Sequence, residues 1–471
     1  MKKTCRRLCT ALGAFKVFMV LQILSQTVLA PILPWLGKAG NIVIALWAAC
    51  ILLYDLFHER KLFRRGLKIW IVIFLAAVAI SIVVNRVNLL DNVEGYVMLV
   101  IQLMVLLPAY RDDREQLRRD LRLFVNGLAL AMFIASAIGM ILYALDKPLY
   151  LYSYRFSGVF SNPNMASVMC FWGMVASLVA LTDPPTWHPK LYRALHILNT
   201  VFCLVLYTVA NSNMGKVMLM AAIGVYAFFL PFSMPKIKRF FPRLLTGVGF
   251  AAVGCVAAYL LFVGVQTAAS YVPGVVRYVR SEIALPEPEQ PGEGTANPQT
   301  KPAKPVLEKE NFDRSEDNVQ LDNNRLEIWR EGLIVLRHHP LFGCGPRNLW
   351  GAVQTYVDNP RPEIEAGGLH NMYLELLSTS GAVGFIPFMI WLAMAAAACV
   401  RYLARSKNLR DRISHRGWLL GAGAAAFAVM NLSESVMLFS TNAYSMCFFV
   451  TLGFLLNWIA MDSREKENTK A

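Results

Sequence analysis

The chain has 471 residues, 56% of them hydrophobic and only 16% charged, with a mean hydropathy of +0.45. A soluble fold of that length lacks the interior to hide so much apolar surface, so a soluble protein is excluded. The formal net charge of +15 does not indicate a nucleic-acid partner, because the basic residues fall in clusters between apolar runs.

Runs of about 17–25 apolar residues, each long enough to cross a bilayer, recur along the chain. They predict an all-α polytopic membrane protein with about twelve transmembrane helices. The segments are 14–35, 41–57, 67–84, 93–109, 121–145, 164–182, 191–210, 215–232, 244–266, 372–400, 417–434 and 439–460. The first run has no A-x-A-like site after it, so it is expected to be a retained span rather than a signal peptide.

With the N-terminus inside, the clusters Arg60–Lys68, Arg111–Arg122 and Arg401–Arg416 all fall on the inner side, and the short outer loops carry few basic residues. That asymmetry predicts cytoplasmic termini, with some of the basic residues also touching membrane lipid. The cysteines lie mostly in apolar spans, and Cys344 has no evident partner in the large outer loop, so no disulfide framework is expected.

Three regions follow. Residues 1–266 hold helices one to nine, 267–370 form one large extracytoplasmic loop, and 371–471 hold helices ten to twelve and a cytoplasmic tail. Within the loop, PEPEQPGEGTANPQTKPAKP (286–305) has almost no apolar residue and is expected to be a disordered linker. The segment 312–370 is expected to be partly helical, because Leu326, Trp329, Leu333 and Leu336 recur at helical spacing. Pro340 and the glycines Gly343 and Gly345 end that helix.

The polar stretch that carries Arg325, Arg347 and His370 feeds straight into the tenth span. His370 stands before Asn371 at the start of that helix. It fits two roles equally: a base that accepts a proton, or an interfacial histidine that only hydrogen-bonds the helix end. Arg155 precedes Asn162-Pro163, a cap and first-turn pair that marks a helix start. Lys216 opens another apolar helix, where a bound anion would also feel the helix N-terminus.

Arg155, Lys216 and Arg325 read either as snorkelling cations or as phosphate contacts that converge on one anion. Glu375 and Glu434, placed in or near spans, suit sugar hydroxyls or a basic partner. His338-His339 lacks the further ligands of a metal site, and there is no P-loop or DxD-type pair, so no metal and no cofactor is expected.

These motifs resemble the O-antigen ligase and polymerase family of bacterial envelope proteins. The resemblance rests on R-x-x-G-x-F-x-N-P-N (Arg155, Gly158, Phe160, Asn162, Pro163, Asn164) and on Arg325-x-x-x-Trp329. It rests also on P-L-x-G-x-G (Pro340, Leu341, Gly343, Gly345), on H-N-x-Y-L (His370, Asn371, Tyr373, Leu374) and on G-x-x-G (Gly381, Gly384).

The resemblance implies metal-independent, inverting glycan transfer on the outer face of the bacterial plasma (inner) membrane. The donor would be a glycan on undecaprenyl pyrophosphate, and the acceptor a glycan or glycolipid. His370 would be the general base, with Arg155 and Arg325 on the pyrophosphate; beside them, Asn371, Arg347, Glu375 and Glu434 are candidates to bind glycan or support the site. The family's Ser-Arg-Gly at the seventh turn is Asn213, Met214 and Gly215 here, which leaves Lys216 as the nearest cation. A membrane transporter and a non-catalytic binding protein for lipid-linked glycans remain as alternatives.

Overall fold

The computed structural model describes residues 12–29, 34–59, 68–108, 114–149, 155–234, 237, 239–283, 309–312, 315–405, 412–439 and 442–468. The linker 286–305 lies outside them, as does most of the basic cluster Arg60–Lys68. Among the described residues the regular structure is helical. In chain order the helices are α1 (Leu12–Leu29), α2 (Pro34–Tyr54), α3 (Lys68–Asn85), α4 (Leu89–Val100), α5 (Arg114–Ala144) and α6 (Pro163–Leu181). There follow α7 (Pro189–Val209), α8 (Asn213–Ser233), α9 (Phe240–Ala269), α10 (Val272–Ile283) and α11 (Ser315–His338). The last are α12 (Leu349–Tyr356), α13 (Glu363–Gly367), α14 (Met372–Arg405), α15 (Arg412–Met430) and α16 (Ala443–Asn468).

Each of the twelve expected segments falls on a helix, α1 to α9 and α14 to α16. Nine helical stretches among the described residues are long and apolar enough to cross a bilayer, and two more, Leu12–Gln22 and Ile69–Asn85, are apolar but shorter. The chain is thus a multi-pass helical membrane protein. Its helices expose large apolar side chains such as Leu90, Val253 and Leu260, as lipid-facing surfaces do. Its centre is built from α6, α15 and α16, where Trp172, Phe427, Phe448 and Phe449 are buried.

Several boundaries move. The second helix begins at Pro34, earlier than 41, and residues 30–33, on which the expected end of the first segment falls, lie outside the described residues. The eleventh segment ends at Met430, so Glu434 belongs to the loop that follows and not to a span. The buried face of α11 is also out of phase with the expected one. Leu326 and Leu333 are exposed, while Ile328, Glu331 and Val335 are buried. The reason is Gly332, which lets the Leu369 side chain press directly onto the helix, while the Ser378 hydroxyl donates to the Gly332 carbonyl at 3.1 Å.

Contacts between loops sort them onto two ends of the bundle. At one end, the α7–α8 turn meets Phe312 through Asn211, α10 meets Asp146 through Arg277, and the first turn of α4 meets Asn348 through Asn92. At the other end, Arg118 and Arg122 of α5 and Arg416 of α15 surround Asp183, which follows α6. Burial alone would raise the Asp183 carboxyl. The hydrogen bonds from Arg118 and Arg122 and the field of Arg416 outweigh it and hold that group well below the usual carboxylate range.

A backbone clasp holds the loop after α11. Helix α14 is broken at Gly381, whose φ of 62° is left-handed. The break exposes peptide groups on both sides, and the turn 340–345 satisfies them. Cys344 N–H donates to the Ser378 carbonyl (3.1 Å) and Gly345 N–H to the Thr379 carbonyl (2.9 Å). In return Ala382 N–H donates to the Pro340 carbonyl (2.9 Å) and Val383 N–H to the Leu341 carbonyl (3.0 Å). The P-L-x-G-x-G and G-x-x-G motifs are therefore two halves of one joint. A methyl group at Gly343 would overlap the Thr379 carbonyl, and one at Gly381 would overlap the Leu341 carbonyl.

Candidate active site

His370 sits immediately before α14, with a left-handed φ of 49°. That conformation is uncommon for a residue with a side chain and costs about 1–2 kcal/mol, so the surroundings must enforce it. They do so from both sides. Leu369 N–H donates to Glu375 Oε2 (2.9 Å), and the Leu369 carbonyl accepts from Trp329 Nε1 (2.9 Å). Asn371 caps α14, its Oδ1 accepting the N–H groups of Tyr373 and Leu374 at 3.1 Å each. The loop after α15 covers the remaining orphan donors of that helix start. Asn371 N–H donates to Ser435 Oγ (3.0 Å), and Met372 N–H to the carbonyls of Asn431 and Glu434 (3.0 Å each).

The same loop delivers Glu434 to the histidine. Its Oε2 lies 3.2 Å from His370 Nδ1, and its Oε1 lies 3.6 Å from Arg325 Nη2 of α11. The Glu434 side chain is only 10% exposed, against 26% for His370 and 28% for Arg325. An ionised carboxylate can only accept. A proton on Nδ1 therefore satisfies the pair, and that tautomer leaves the lone pair on Nε2.

Other expected residues have different duties. Glu375 turns back to the Leu369 peptide, and an added Cβ at Gly368 would strike its carboxylate. Arg347 donates through Nη2 to the Phe439 carbonyl (2.7 Å), and its own N–H donates to Asn92 Oδ1 (2.8 Å). It joins the first turn of α4 to the loop before α16.

Arg155 and Lys216 belong to a second cluster, at the N-termini of α6 and α8. Asn162 caps α6, its side chain accepting Asn164 N–H at 2.7 Å with Pro163 in the first turn, as the sequence implies. Arg155 donates to Asn164 Oδ1 and, at 3.4 Å, to the Ala210 carbonyl. Ser212 caps α8 and donates to the same Asn164 oxygen at 2.9 Å. Lys216 Nζ lies 3.4 Å from Asn213 Oδ1 and 5.4 Å from the centre of the Phe262 ring. Arg325 thus stands with Glu434 and His370, while Arg155 and Lys216 share the neighbouring turns. Asn164 stands in the motif that carries Arg155, whereas Ser212 and Ser435 were not singled out in the sequence.

Apart from Arg325, the polar groups named on α11 and its C-terminal turn make contacts away from His370. Glu331 is buried, which raises its carboxyl above the usual value, and it accepts the Arg361 N–H at 3.1 Å. His338 stacks on Tyr356 with ring centres 4.0 Å apart, and His339 contacts the Tyr356 hydroxyl at 3.1 Å. Among the described residues no three His, Cys, Asp or Glu side chains gather as a metal ion would need.

Residues 198–389 match the family model for O-antigen ligase. The match takes in Lys216, Arg325, Arg347, His370, Asn371 and Glu375, together with both halves of the clasp, and stops short of Arg155 and Glu434. The family model agrees with the motif resemblance over this stretch and supports a role in glycan transfer for polysaccharide biosynthesis. No curated protein matches the chain.

Proposed function

We propose that the protein transfers a glycan from an undecaprenyl-pyrophosphate donor to an acceptor sugar hydroxyl, with inversion and without a metal, on the extracytoplasmic face of the plasma membrane. The observation that carries this reading is the contact between His370 Nδ1 and Glu434. It orients the ring and leaves Nε2 to act as base. Nε2 takes the acceptor proton, the acceptor oxygen forms a bond to the anomeric carbon, and the glycosyl bond to the pyrophosphate breaks with its electron pair. Pyrophosphate is a stable leaving group, so no general acid is needed. Positive charge from Arg155, Lys216 and Arg325 offsets the charge that develops on it. Lys216 serves as a point charge without the two-pronged geometry of arginine.

The side of the membrane is inferred from charge. Arg118, Arg122 and Arg416 gather at the end of the bundle opposite His370, as the excess of cytoplasmic lysine and arginine requires.

The test uses full-length protein in nanodiscs with an undecaprenyl-pyrophosphate oligosaccharide and EDTA. Wild type should release undecaprenyl pyrophosphate and form longer or transferred glycans, and His370→Ala should not. Equal product from both proteins would rule out the histidine mechanism. Growth of the donor glycan itself identifies a polymerase, and transfer only to an added foreign acceptor identifies a ligase.

A further inference from the structure

A cavity of about 360 Å³ opens at the His370 end of the bundle, away from the histidine itself, between the end of α9 and the strap Lys309–Phe312. Gln266 and Thr267 form one wall, and Lys309, Glu310, Asn311 and Phe312 form the other. The strap is bolted on both sides. Glu310 N–H donates to the Ser270 carbonyl (3.0 Å), and the Phe312 carbonyl accepts from Asn211 Nδ2 (2.9 Å). Asn211 is followed by Ser212, which shares Asn164 with Arg155. One short path of contacts therefore runs from the cavity wall to the cationic cluster.

We infer that this cavity is a binding subsite for a sugar unit of the glycan, an assignment that rests on the glycan-transfer reading above. Three observations carry it. The volume lies in the range of small-ligand sites, about 300–1,000 Å³, and is large enough for one or two sugar rings. The lining carries two side-chain amides, a hydroxyl, an ammonium and a carboxylate, the kinds of donor and acceptor that a polyhydroxylated ring needs; Gln266 Nε2 also donates to the Thr208 carbonyl (2.9 Å), and Phe312 is half-buried against the helix core. The charge is nearly balanced. Lys309 stands beside Glu310, and Glu310 also pairs with Arg277 at 3.1 Å. A phosphate would require net positive charge at this place, whereas a neutral sugar does not. The subsite would hold a sugar at a distance from the reacting carbon and so select the repeat unit.

The experiment uses full-length protein in nanodiscs. Free linear trisaccharides of hexose and N-acetylhexosamine units are tested for binding by saturation-transfer NMR. Turnover of an undecaprenyl-pyrophosphate oligosaccharide is measured in parallel. At least one trisaccharide should bind wild type and His370→Ala alike. Thr267→Trp, which fills the cavity from an exposed position, and Asn311→Ala should each weaken that binding about tenfold, the size of one lost polar contact. Their melting temperatures should match wild type. No trisaccharide bound by wild type, or equal binding by both variants, overturns the subsite. Sugar binding that both variants weaken, in a wild type that transfers no lipid-linked glycan, upholds the subsite and refutes the reaction. Transfer without cavity-sensitive binding does the reverse.

Discussion

His370 and Glu434 stand 64 positions apart in sequence, yet Nδ1 of one lies 3.2 Å from Oε2 of the other. The contact forms because the loop after α15 caps the start of α14, which brings the two residues onto one helix end. In the proposed reaction the carboxylate acts through the ring that it contacts. Arg325 on α11 balances its charge from the other side.

Substitution of the proposed base separates chemistry from folding. His370→Ala should lower transfer by about 10²–10⁴-fold, the usual worth of a positioned base. His370→Gln should behave alike, because an amide cannot take the proton. Size-exclusion profile and melting temperature should stay near wild type, since the ring is partly exposed. A variant that retains wild-type kcat would remove His370 from the mechanism.

Glu434→Gln keeps the shape of the side chain and removes its charge. The amide can present either its oxygen or its NH₂ to Nδ1, so the ring loses its fixed tautomer. A loss of kcat approaching about 10⁴-fold is the upper bound set by the corresponding change in serine-protease triads. KM for donor should change little. Arg325→Lys tests the other contact of the carboxylate, and a kcat loss smaller than that of Glu434→Gln is expected.

The clasp predicts a stability effect with no chemistry in it. Gly343→Ala and Gly381→Ala each place a side chain at positive φ, worth about 1–2 kcal/mol, and add a backbone overlap. Both should lower the yield of folded protein and its melting temperature. Gly384→Ala should be milder, because the group its Cβ meets is the Ser380 side chain. Thermal unfolding of the three variants in detergent decides the order.

At the opposite end, Asp183 links stability to pH. Its folded carboxyl sits below its unfolded value, so the native state gains from ionisation. That gain is complete above the unfolded value, about 3.9, and is lost as the pH falls through the folded one. Melting temperature against pH should therefore decline on acidification in wild type and decline less in Asp183→Asn. At neutral pH the variant should be less stable by about 3 kcal/mol or less, the lower end for a broken buried pair, because Arg118 and Arg122 are 41% exposed.

Apolar run length and the spacing of basic clusters determined that this chain is a multi-pass helical membrane protein, because those features report on a solvent that acts along the chain. The cap at Asn162 and the helix start at Asn371 were equally local, each set by a side chain reaching its own neighbouring peptides. His370 stood out for a similar reason, as a lone imidazole at a helix start.

Only the tertiary structure decided what the other polar residues do. Glu434 moved from a span to a loop and became the partner of His370. Glu375 went to a peptide N–H, and Arg325 was placed beside Glu434. The buried face of α11 shifted to the side of Gly332, since a missing side chain admits Leu369 where hydropathy marks nothing. The sugar-sized cavity had no sequence signal, because its walls come from the end of α9 and a four-residue strap that touch only in three dimensions. Contacts between distant segments depend on which backbones close against each other, and periodicity along the chain carries no record of that.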